Sequence, residues 1–281
     1  GIDQEFSIAL NKAFNSSKIK LLGNGLYAQR DRVELEEKYK SLINGMNSSF
    51  NHVIEANDVS GSKQQQEVIK NVLNGADICV IQGLPGSGKS KSMKVLSDKY
   101  KENGYAVIGG AFSASASINL SQAADIETKT LEGWKNVFKT ANLNQKTVFI
   151  LDEMSMVNLD DMVYFTEKVS KAGAKLILIG DVNQFSAVKG VKGAARVAAS
   201  ICKAYVLDEV IRQNKHEHRL ASKYIAEKKI YKAISLFGKS IVKSESFELA
   251  IETIAIDYVK NYVKIATNYT KPDIVGKSLV M

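Results

Sequence analysis

Cysteine and long apolar runs are scarce in this sequence, and each absence excludes a class of protein. Cys79 and Cys202 are the only cysteines among 281 residues, too few for a disulfide framework or a cysteine-based zinc site. The longest aliphatic runs, such as 148–151, fall far short of the roughly 18 residues that a membrane-spanning helix needs. No succession of charged, apolar and small residues near residue 1 fits a secretion signal. We therefore expect no membrane partner and a reducing, cytoplasmic location.

The composition is that of a soluble chain with a substantial core, since 45% of the residues are hydrophobic and 24% are charged. The length predicts one or two domains. Residues 189–281 contain 17 Lys and Arg against 9 Asp and Glu, and this segment carries the whole net charge of +8. Such a basic segment favours a polyanionic partner, but it also fits a solvated surface rich in lysine.

Four short apolar runs between residues 77 and 179 predict the fold class. Each run is four or five residues long, is rich in Val and Ile, and is separated from the next by a helical stretch. Such alternation implies crossover connections and a parallel sheet that is buried on both faces. The sequence therefore predicts an α/β fold with strands at 77–81, 105–108, 147–151 and 175–179.

A glycine-rich loop follows the first of these runs and fits the pattern G-x-x-x-x-G-K-[S/T]. Backbone N–H groups in such a loop, and at the helix N-terminus that follows it, point at phosphate oxygens. Lys89 would then reach the β- and γ-phosphates, and the Ser90 hydroxyl would ligate Mg²⁺. We therefore predict ATP and Mg²⁺ as cofactors. The loop consists of Gly83, Leu84, Pro85, Gly86, Ser87, Gly88, Lys89 and Ser90.

An acidic pair, Asp152 and Glu153, follows the run at 147–151. Ligands of open α/β sheets bind outside the carboxyl ends of the strands, so this pair is expected to face the phosphate loop. Asp152 would hold Mg²⁺ through water, and Glu153 would orient and deprotonate the attacking water.

Two further motifs are weaker when each is taken alone. Gly180, Asp181 and Gln184 come directly after the run at 175–179, where the Gln184 amide would sense the γ-phosphate. Arg212 would stabilise negative charge in the transition state. The first motif also fits an ordinary turn, and Arg212 taken alone is read as a surface residue.

Together, these motifs resemble superfamily 1 DNA helicases of the RecD-like branch. The resemblance is nearly continuous from about residue 60 to 240. Over this range the amino-acid sequence is similar to the helicase region of Ti-type conjugative transfer relaxases (TraA). It implies a RecA-like P-loop NTPase fold, ATP-dependent motor activity, single-stranded DNA as a partner and a role in conjugation. Further stretches that match are 62–69, 107–111, 130–134, 152–157, 172–175 and 207–213.

The resemblance also implies roles for individual residues. Gln65 matches the glutamine that reads adenine. Because Gln64 and Gln66 flank it, the match could be shifted by one residue in either direction. The segment 111–117 matches a motif that touches single-stranded DNA, while its serines also fit an ordinary strand-to-helix loop. Trp134 would stack on a base or lie in the core, and a core position is favoured.

The remaining implied roles concern the γ-phosphate. Gly180, Asp181 and Gln184 match the motif that couples the γ-phosphate to the DNA strand. Arg212 matches an arginine that contacts the γ-phosphate itself.

The sequence departs from the family pattern in three places. Residues 184–187 lack the usual proline, which leaves that loop less rigid. Only 69 residues follow Arg212, whereas a second RecA-like lobe needs on the order of 150. His52, His216 and His218 cannot build the histidine cluster of a relaxase.

We therefore expect one motor lobe with helical flanks. Residues 1–57 would form a helical N-terminal segment, 58–208 a RecA-like ATP-binding lobe, and 209–281 a helical tail that starts a truncated second lobe. Such a chain would bind ATP but hydrolyse it near background and unwind no DNA, because translocation needs two lobes that close on ATP. Its partners would be single-stranded DNA and a second motor lobe or a relaxase domain.

Two other functions remain open from the sequence. The chain could be a nucleotide- or DNA-binding remnant without motor activity. It could also be a P-loop kinase or an ATPase of the AAA+ type, although Gln184 and Arg212 argue against this.

Overall fold

The computed structural model divides the chain into two compact units, Gly1–Asn214 and Lys215–Met281. In the first unit it describes residues 18–23, 26–56, 58–83, 87–181, 193–202 and 204–207. In the second unit it describes residues 217, 220–221, 224–225, 229–236, 246, 249, 251 and 256.

An antiparallel hairpin and one long helix precede the central sheet. Strand β1 (Ile19–Gly23) pairs with β2 (Leu26–Gln29), and α1 (Arg30–Asn47) follows directly. Helix α1 lies within the segment 1–57 that was expected to be helical. The sequence predicted helix alone for the first 57 residues and missed the hairpin, because the four residues of β2 show no alternation of apolar and polar side chains.

Six parallel strands form the central sheet. They are β3 (Ile78–Gly83), β4 (Ala106–Ala111), β5 (Glu127–Thr130), β6 (Thr147–Leu151), β7 (Lys175–Gly180) and β8 (Tyr205–Leu207). Their order across the sheet is β5-β4-β6-β7-β3-β8. The four predicted strands are present, and the expected α/β fold, a RecA-like parallel sheet flanked by helices, is confirmed.

The sheet is buried on both faces, as its Val- and Ile-rich strands require. Successive side chains of a strand point to opposite faces, and this sorts the apolar residues into two clusters. One cluster contains Ile78 and Val80 of β3, while Cys79 and Ile81 lie in the other. This alternation explains why the four central strands are continuously apolar rather than amphipathic.

Helices cover each face of the sheet. One face is covered by α2 (Lys63–Leu73), α3 (Lys89–Glu102) and α4 (Ala114–Ala124). The other is covered by α1, α5 (Leu131–Val137), α6 (Leu159–Lys171) and α7 (Ala194–Ile201). Four of these helices begin at a side chain that accepts a hydrogen bond from the first turn: Ser62 for α2, Ser113 for α4, Thr130 for α5 and Asn158 for α6.

Helix α1 belongs to the core of the first unit. Its Tyr39, Ile43 and Met46 are buried in the same apolar cluster as Phe165 of α6. Two surface ion pairs, Arg32–Asp160 and Lys38–Glu167, also join α1 to α6. The finer division of the chain at residues 57 and 208 stays a prediction.

In the second unit, the described residues include one helix, α8 (Ile230–Ser235). The helical tail predicted for residues 209–281 falls largely outside the described residues. Among the helices that the structure describes, none has the length and apolar character needed to cross a membrane.

Candidate nucleotide-binding site

Three neighbouring strands of the sheet carry the predicted motifs at their carboxyl ends. The phosphate loop follows β3, the acidic pair follows β6, and Gly180 with Asp181 ends β7 between them. Because neighbouring strands lie about 4.8 Å apart, the ends of β3 and β6 are separated by roughly 10 Å. A crevice therefore lies between the phosphate loop and the acidic pair, and the end of β7 forms its base.

The phosphate loop is shaped by close contacts between its two ends. Gly88 has φ +82° and starts α3, so the loop turns sharply into the helix. The Lys89 Nζ donates a hydrogen bond to the Gly83 carbonyl at 2.6 Å. A Cβ at Gly83 would lie 2.8 Å from Lys89 Cγ and 2.9 Å from Ser87 Oγ. Glycine at position 83 therefore makes room for the lysine stem that crosses the loop.

The side chains of this loop fit a phosphate group. Ser87 is 1% exposed, and its hydroxyl has no hydrogen-bond partner among the described residues. An unpaired buried hydroxyl costs about 1–3 kcal/mol, and a phosphate oxygen would remove that cost. The N-terminus of α3 adds the first-turn backbone N–H groups that an α-helix does not pair with its own carbonyls, and the positive end of the helix dipole. Ser90 lies exposed in the first turn of the same helix, where its hydroxyl is accessible to a metal ion.

The acidic pair sits in a tight turn after β6. The Asp152 N–H donates to the Gly110 carbonyl at 2.9 Å, and the Asp152 carboxylate accepts from the Glu153 N–H at 2.8 Å. Glu153 has φ +54°, in the left-handed region, which costs a non-glycine residue about 1–2 kcal/mol. A short 3₁₀ turn (Met154–Met156) follows and holds this conformation through the hydrogen bond from the Met156 N–H to the Glu153 carbonyl.

The charge of the phosphate-loop lysine acts on the acidic turn. Burial raises the pKa of Asp152, and this rise is opposed by the hydrogen bond from Glu153 and by the positive charge of Lys89. Burial also raises the pKa of Glu153, and the neighbouring Asp152 charge raises it further. A carboxylate with a raised pKa is a stronger base, which suits the role predicted for Glu153.

The end of β7 packs against the acidic turn. A Cβ at Gly180 would lie 3.0 Å from Met154 Cγ and 3.1 Å from the Met154 backbone nitrogen. The next residue, Asp181, is buried. Glycine at position 180 thus lets the acidic turn lie directly on β7, beside Asp181 of the motif predicted to act at the γ-phosphate.

Gln65 lies close to the phosphate loop, but its amide is already paired within the protein. The Gln65 Oε1 accepts from the Ser62 N–H at 3.0 Å, and the Gln65 Nε2 donates to the Gly88 carbonyl at 3.1 Å. The adjacent Gln66 donates to the Gly61 carbonyl at 3.0 Å. The adenine-reading role that the resemblance implied for Gln65 stays a prediction.

The segment expected to touch DNA lies at the same edge, after β4. Ser113 caps α4 by accepting from the Ala116 N–H, and Ser117 bonds to Thr128, so both hydroxyls have local structural roles. Phe112, which the sequence reasoning missed, is 48% exposed. The signal that could have identified it is an aromatic residue directly after β4, within the segment 111–117.

Trp134 lies in the core, which is the position that the sequence favoured. It is buried, its Nε1 donates to the Gly109 carbonyl at 2.6 Å, and its ring stacks on Phe138. Base stacking by Trp134 would require it to leave this cluster.

Several predicted site residues lie outside the described residues. They are Leu84, Pro85 and Gly86 of the phosphate loop, Gln184, and Arg212. The structure therefore brings together Lys89, Ser87, Ser90, Asp152, Glu153, Asp181 and Gln65.

Comparisons with known proteins agree with the motifs. A family described as an AAA domain matches residues 60–240. The chain is 32% identical over 211 residues to the conjugal transfer protein TraA of Agrobacterium fabrum, covering 73% of this chain and 19% of that protein. It is 31% identical over 206 residues to the probable conjugal transfer protein TraA of Sinorhizobium fredii, covering 72% of this chain and 18% of that protein. The chain thus spans about a fifth of the length of these relatives.

Among solved structures, the Pif1 helicase from Candida albicans has a TM-score of 0.41 and 19% sequence identity. That similarity covers 62% of this chain and 44% of the helicase chain.

Proposed function

Because this chain belongs to the AAA-domain family and is a superfamily 1 helicase relative of the TraA proteins, we propose that it is the ATP-binding motor lobe of a DNA helicase that serves conjugative DNA transfer. One observation carries the proposal. The phosphate loop and the acidic pair follow β3 and β6, which lie on either side of β7, and the Lys89 charge opposes the rise in the Asp152 pKa that burial causes. The two halves of the proposed nucleotide-hydrolysing site would therefore lie on opposite sides of one crevice.

The residues of this site have separable roles toward ATP. Lys89 would exchange the Gly83 carbonyl for the β- and γ-phosphates, and the buried Ser87 hydroxyl would donate to a phosphate oxygen. Ser90 and Asp152 would hold Mg²⁺, which when bound neutralises phosphate charge. Glu153 would accept a proton from the attacking water, helped by its raised pKa. Asp181, Gln184 and Arg212 are proposed to act at the γ-phosphate.

Turnover and DNA unwinding are proposed to need a second motor lobe that closes on the same nucleotide. A contact between an arginine and the γ-phosphate is worth about 10³–10⁵ in rate, so a lobe that lacks a completed arginine set hydrolyses ATP slowly. Single-stranded DNA is the proposed partner at the carboxyl edge of the sheet, near residues 111–117. A relaxase domain is a further proposed partner, since the relatives are conjugal transfer proteins.

The first test is to measure ATP binding and ATP hydrolysis by this chain, each with and without single-stranded DNA. We expect Mg²⁺-dependent ATP binding, hydrolysis near background and no strand separation. The Lys89→Ala variant is expected to lose at least ten-fold in ATP affinity, because it removes the only charge that the described phosphate loop offers to the phosphates.

Three results would contradict this proposal in different ways. Absence of ATP binding by the folded chain would reject the nucleotide site. DNA-stimulated hydrolysis that Lys89→Ala abolishes would reject the need for a second lobe. ATP binding with no affinity for single-stranded DNA would favour a nucleotide-binding remnant over a motor lobe.

A further inference from the structure

Two adjacent glycines near the carboxyl end of β4 connect Trp134 to the acidic turn. The Gly110 carbonyl accepts the hydrogen bond from the Asp152 N–H, and the preceding Gly109 carbonyl accepts the hydrogen bond from Trp134 Nε1. Only the two backbone dihedrals of Gly110 separate these two carbonyl groups. The direction of the Gly109 carbonyl therefore constrains the direction of the carbonyl that binds the Asp152 backbone.

Neither glycine has a side chain that limits its backbone, so the surroundings must fix this part of β4. Glycine adopts a wider range of dihedrals than other residues and weakens the interior of a strand. A Cβ at Gly109 would lie 2.7 Å from Leu120 Cδ2, and a Cβ at Gly110 would lie 2.8 Å from Phe149 Cζ. These apolar side chains fill the space beside the glycines but cannot orient a carbonyl group. The Trp134 N–H supplies that orientation.

Trp134 is itself held in place by its neighbours. Its helix α5 follows β5 directly, and Thr130 at the end of β5 caps the helix by accepting from the Gly133 N–H at 3.1 Å. The Trp134 ring stacks on Phe138 with 5.3 Å between the ring centroids, and Lys129 Nζ lies 4.9 Å from the centroid of the indole. A buried donor that is held in this way gives β4 a fixed hydrogen-bonding partner.

The position of Asp152 matters for the metal ion that this residue is proposed to hold. Mg²⁺ requires a near-ideal octahedral arrangement of its ligands, so a small displacement of a ligand weakens its binding. The Asp152 backbone is joined to β4 through Gly110, and its carboxylate accepts from the Glu153 N–H. A change in the direction of the Gly110 carbonyl would therefore displace the whole acidic turn.

We propose that Trp134 is a positioning residue for Mg²⁺, which acts through Gly109 and Gly110 on Asp152 and touches neither the metal ion nor the nucleotide. The proposal rests on the proposed ATP-binding function. It predicts that loss of the Trp134 N–H weakens ATP binding when Mg²⁺ is present and leaves Mg²⁺-free binding unchanged. A residue that serves only the core would change the free energy of unfolding without separating the two kinds of ATP binding.

The Trp134→Phe variant isolates this hydrogen bond, because phenylalanine keeps an aromatic ring beside Phe138 but has no N–H. Tyr100→Phe is the matched control. It also removes a buried aromatic donor to a backbone carbonyl, since the Tyr100 hydroxyl donates to the Val72 carbonyl at 3.4 Å. Tyr100 belongs to the apolar cluster on the opposite face of the sheet from Trp134. Urea unfolding of each variant without ligand measures the effect on stability.

ATP binding to the unmodified chain and to both variants is then measured by calorimetry, with Mg²⁺ and with EDTA. We expect Trp134→Phe to weaken ATP binding about five-fold or more with Mg²⁺ and by less than about two-fold with EDTA. Tyr100→Phe should change neither affinity beyond about two-fold. Equal losses with Mg²⁺ and with EDTA, the same pattern in Tyr100→Phe, or no loss in Trp134→Phe would overturn the proposal. Failure of the unmodified chain to bind ATP in either condition would reject the proposed function, and this proposal with it.

A measurement on the unmodified chain covers the case in which Trp134→Phe does not fold. Trp134 is the sole tryptophan of the chain, so tryptophan fluorescence reports on this position alone. We expect saturating ATP to change the emission of Trp134 when Mg²⁺ is present and to leave it unchanged with EDTA. The same change in both conditions, or no change in either, would overturn the proposal.

Discussion

Glu153 and Gly180 show how single residues hold the acidic turn in place. Glu153 adopts a left-handed backbone conformation that an ordinary residue disfavours, so its surroundings must compensate. Part of that compensation is the hydrogen bond from its N–H to Asp152, and part is the 3₁₀ turn that lies on Gly180. The acidic pair is thus positioned by β7 as well as by β6.

Replacing Gly180 with alanine tests this arrangement. The added Cβ would press on the backbone nitrogen of Met154 at about 3.1 Å, so the acidic turn must shift by a few tenths of an ångström. We expect the free energy of unfolding to fall by about 1–3 kcal/mol, as in other overpacked sites. We also expect Mg²⁺-dependent ATP binding to weaken more than Mg²⁺-free binding, because Asp152 moves with the turn. Urea unfolding and ATP titration with and without Mg²⁺ measure the two effects.

Gly45→Ala is the control for this substitution. Gly45 lies inside α1, and a Cβ there meets nothing within 4 Å. This variant should raise the free energy of unfolding by about 0.5–1 kcal/mol and leave ATP binding unchanged. Equal effects of the two variants on ATP binding would show that Gly180 has no special role at the site.

The strands and helices differ in how far the sequence predicted them. The runs that became β3, β4, β6 and β7 are apolar because both of their faces are buried, and this is a pattern that a sequence displays directly. Strand β5 is Glu-Thr-Lys-Thr at one edge, and β8 has three residues at the other. Neither forms a continuous apolar run, so the sequence could not distinguish them from loops.

The same contrast applies to the candidate site. The phosphate loop and the acidic pair were predicted because local spacing determines them. The bond from Gln65 to Gly88 depends on how α2 packs beside the phosphate loop, and the contact of Gly180 with Met154 depends on β6 and β7 becoming neighbours. No local pattern encodes either contact.

A buried polar network anchors the amino ends of β3 and β7. Asp77, just before β3, accepts hydrogen bonds from the backbone and side chain of Asn51. Lys175, the first residue of β7, is fully buried and donates to the Gly75 and Ala76 carbonyls. His52 lies beside this network, and its Nε2 is 2.9 Å from the Gly173 carbonyl. The network ties the segment after α1 to the two central strands.

Protonation of His52 should weaken this anchor. Burial lowers the pKa of His52, the charges of Lys175 and Lys146 lower it further, and Asp77 opposes them. Below about pH 6.5, the unfolded chain takes up a proton at His52 that the folded chain resists, so stability falls as the pH falls. The slope from this group is at most about 1.4 kcal/mol per pH unit. Urea unfolding between pH 7.5 and 5.5 measures it.

His52→Gln separates this effect from other titrations. Glutamine keeps a donor for the Gly173 carbonyl but does not titrate. The raised pKa values of Asp152 and Glu153 act in the opposite sense on acidification and are common to both proteins. The difference between the two pH profiles therefore belongs to His52. Parallel profiles would show that His52 does not contribute.

The amino and carboxyl ends of the strands carry different kinds of side chains, and we expect them to have different roles. The amino ends of the strands are fixed by the buried network of Asp77, Lys175 and His52. The carboxyl ends carry the phosphate loop, the acidic pair and the exposed Phe112. A single-stranded DNA partner is therefore expected at the carboxyl edge, where its position can depend on the nucleotide.

Phe112→Ala tests this assignment. An aromatic ring that stacks on a base contributes about 1–3 kcal/mol, so we expect the affinity for single-stranded DNA to fall about 5- to 160-fold. The salt dependence of binding should stay the same, because it reports on phosphate contacts and not on stacking. Fluorescence anisotropy with a labelled oligonucleotide at several salt concentrations measures both quantities. Phe50→Ala is the matched control, since Phe50 is 59% exposed beside the amino ends of β3 and β8. Equal losses in the two variants, or none in Phe112→Ala, would remove the carboxyl edge as the DNA-binding surface.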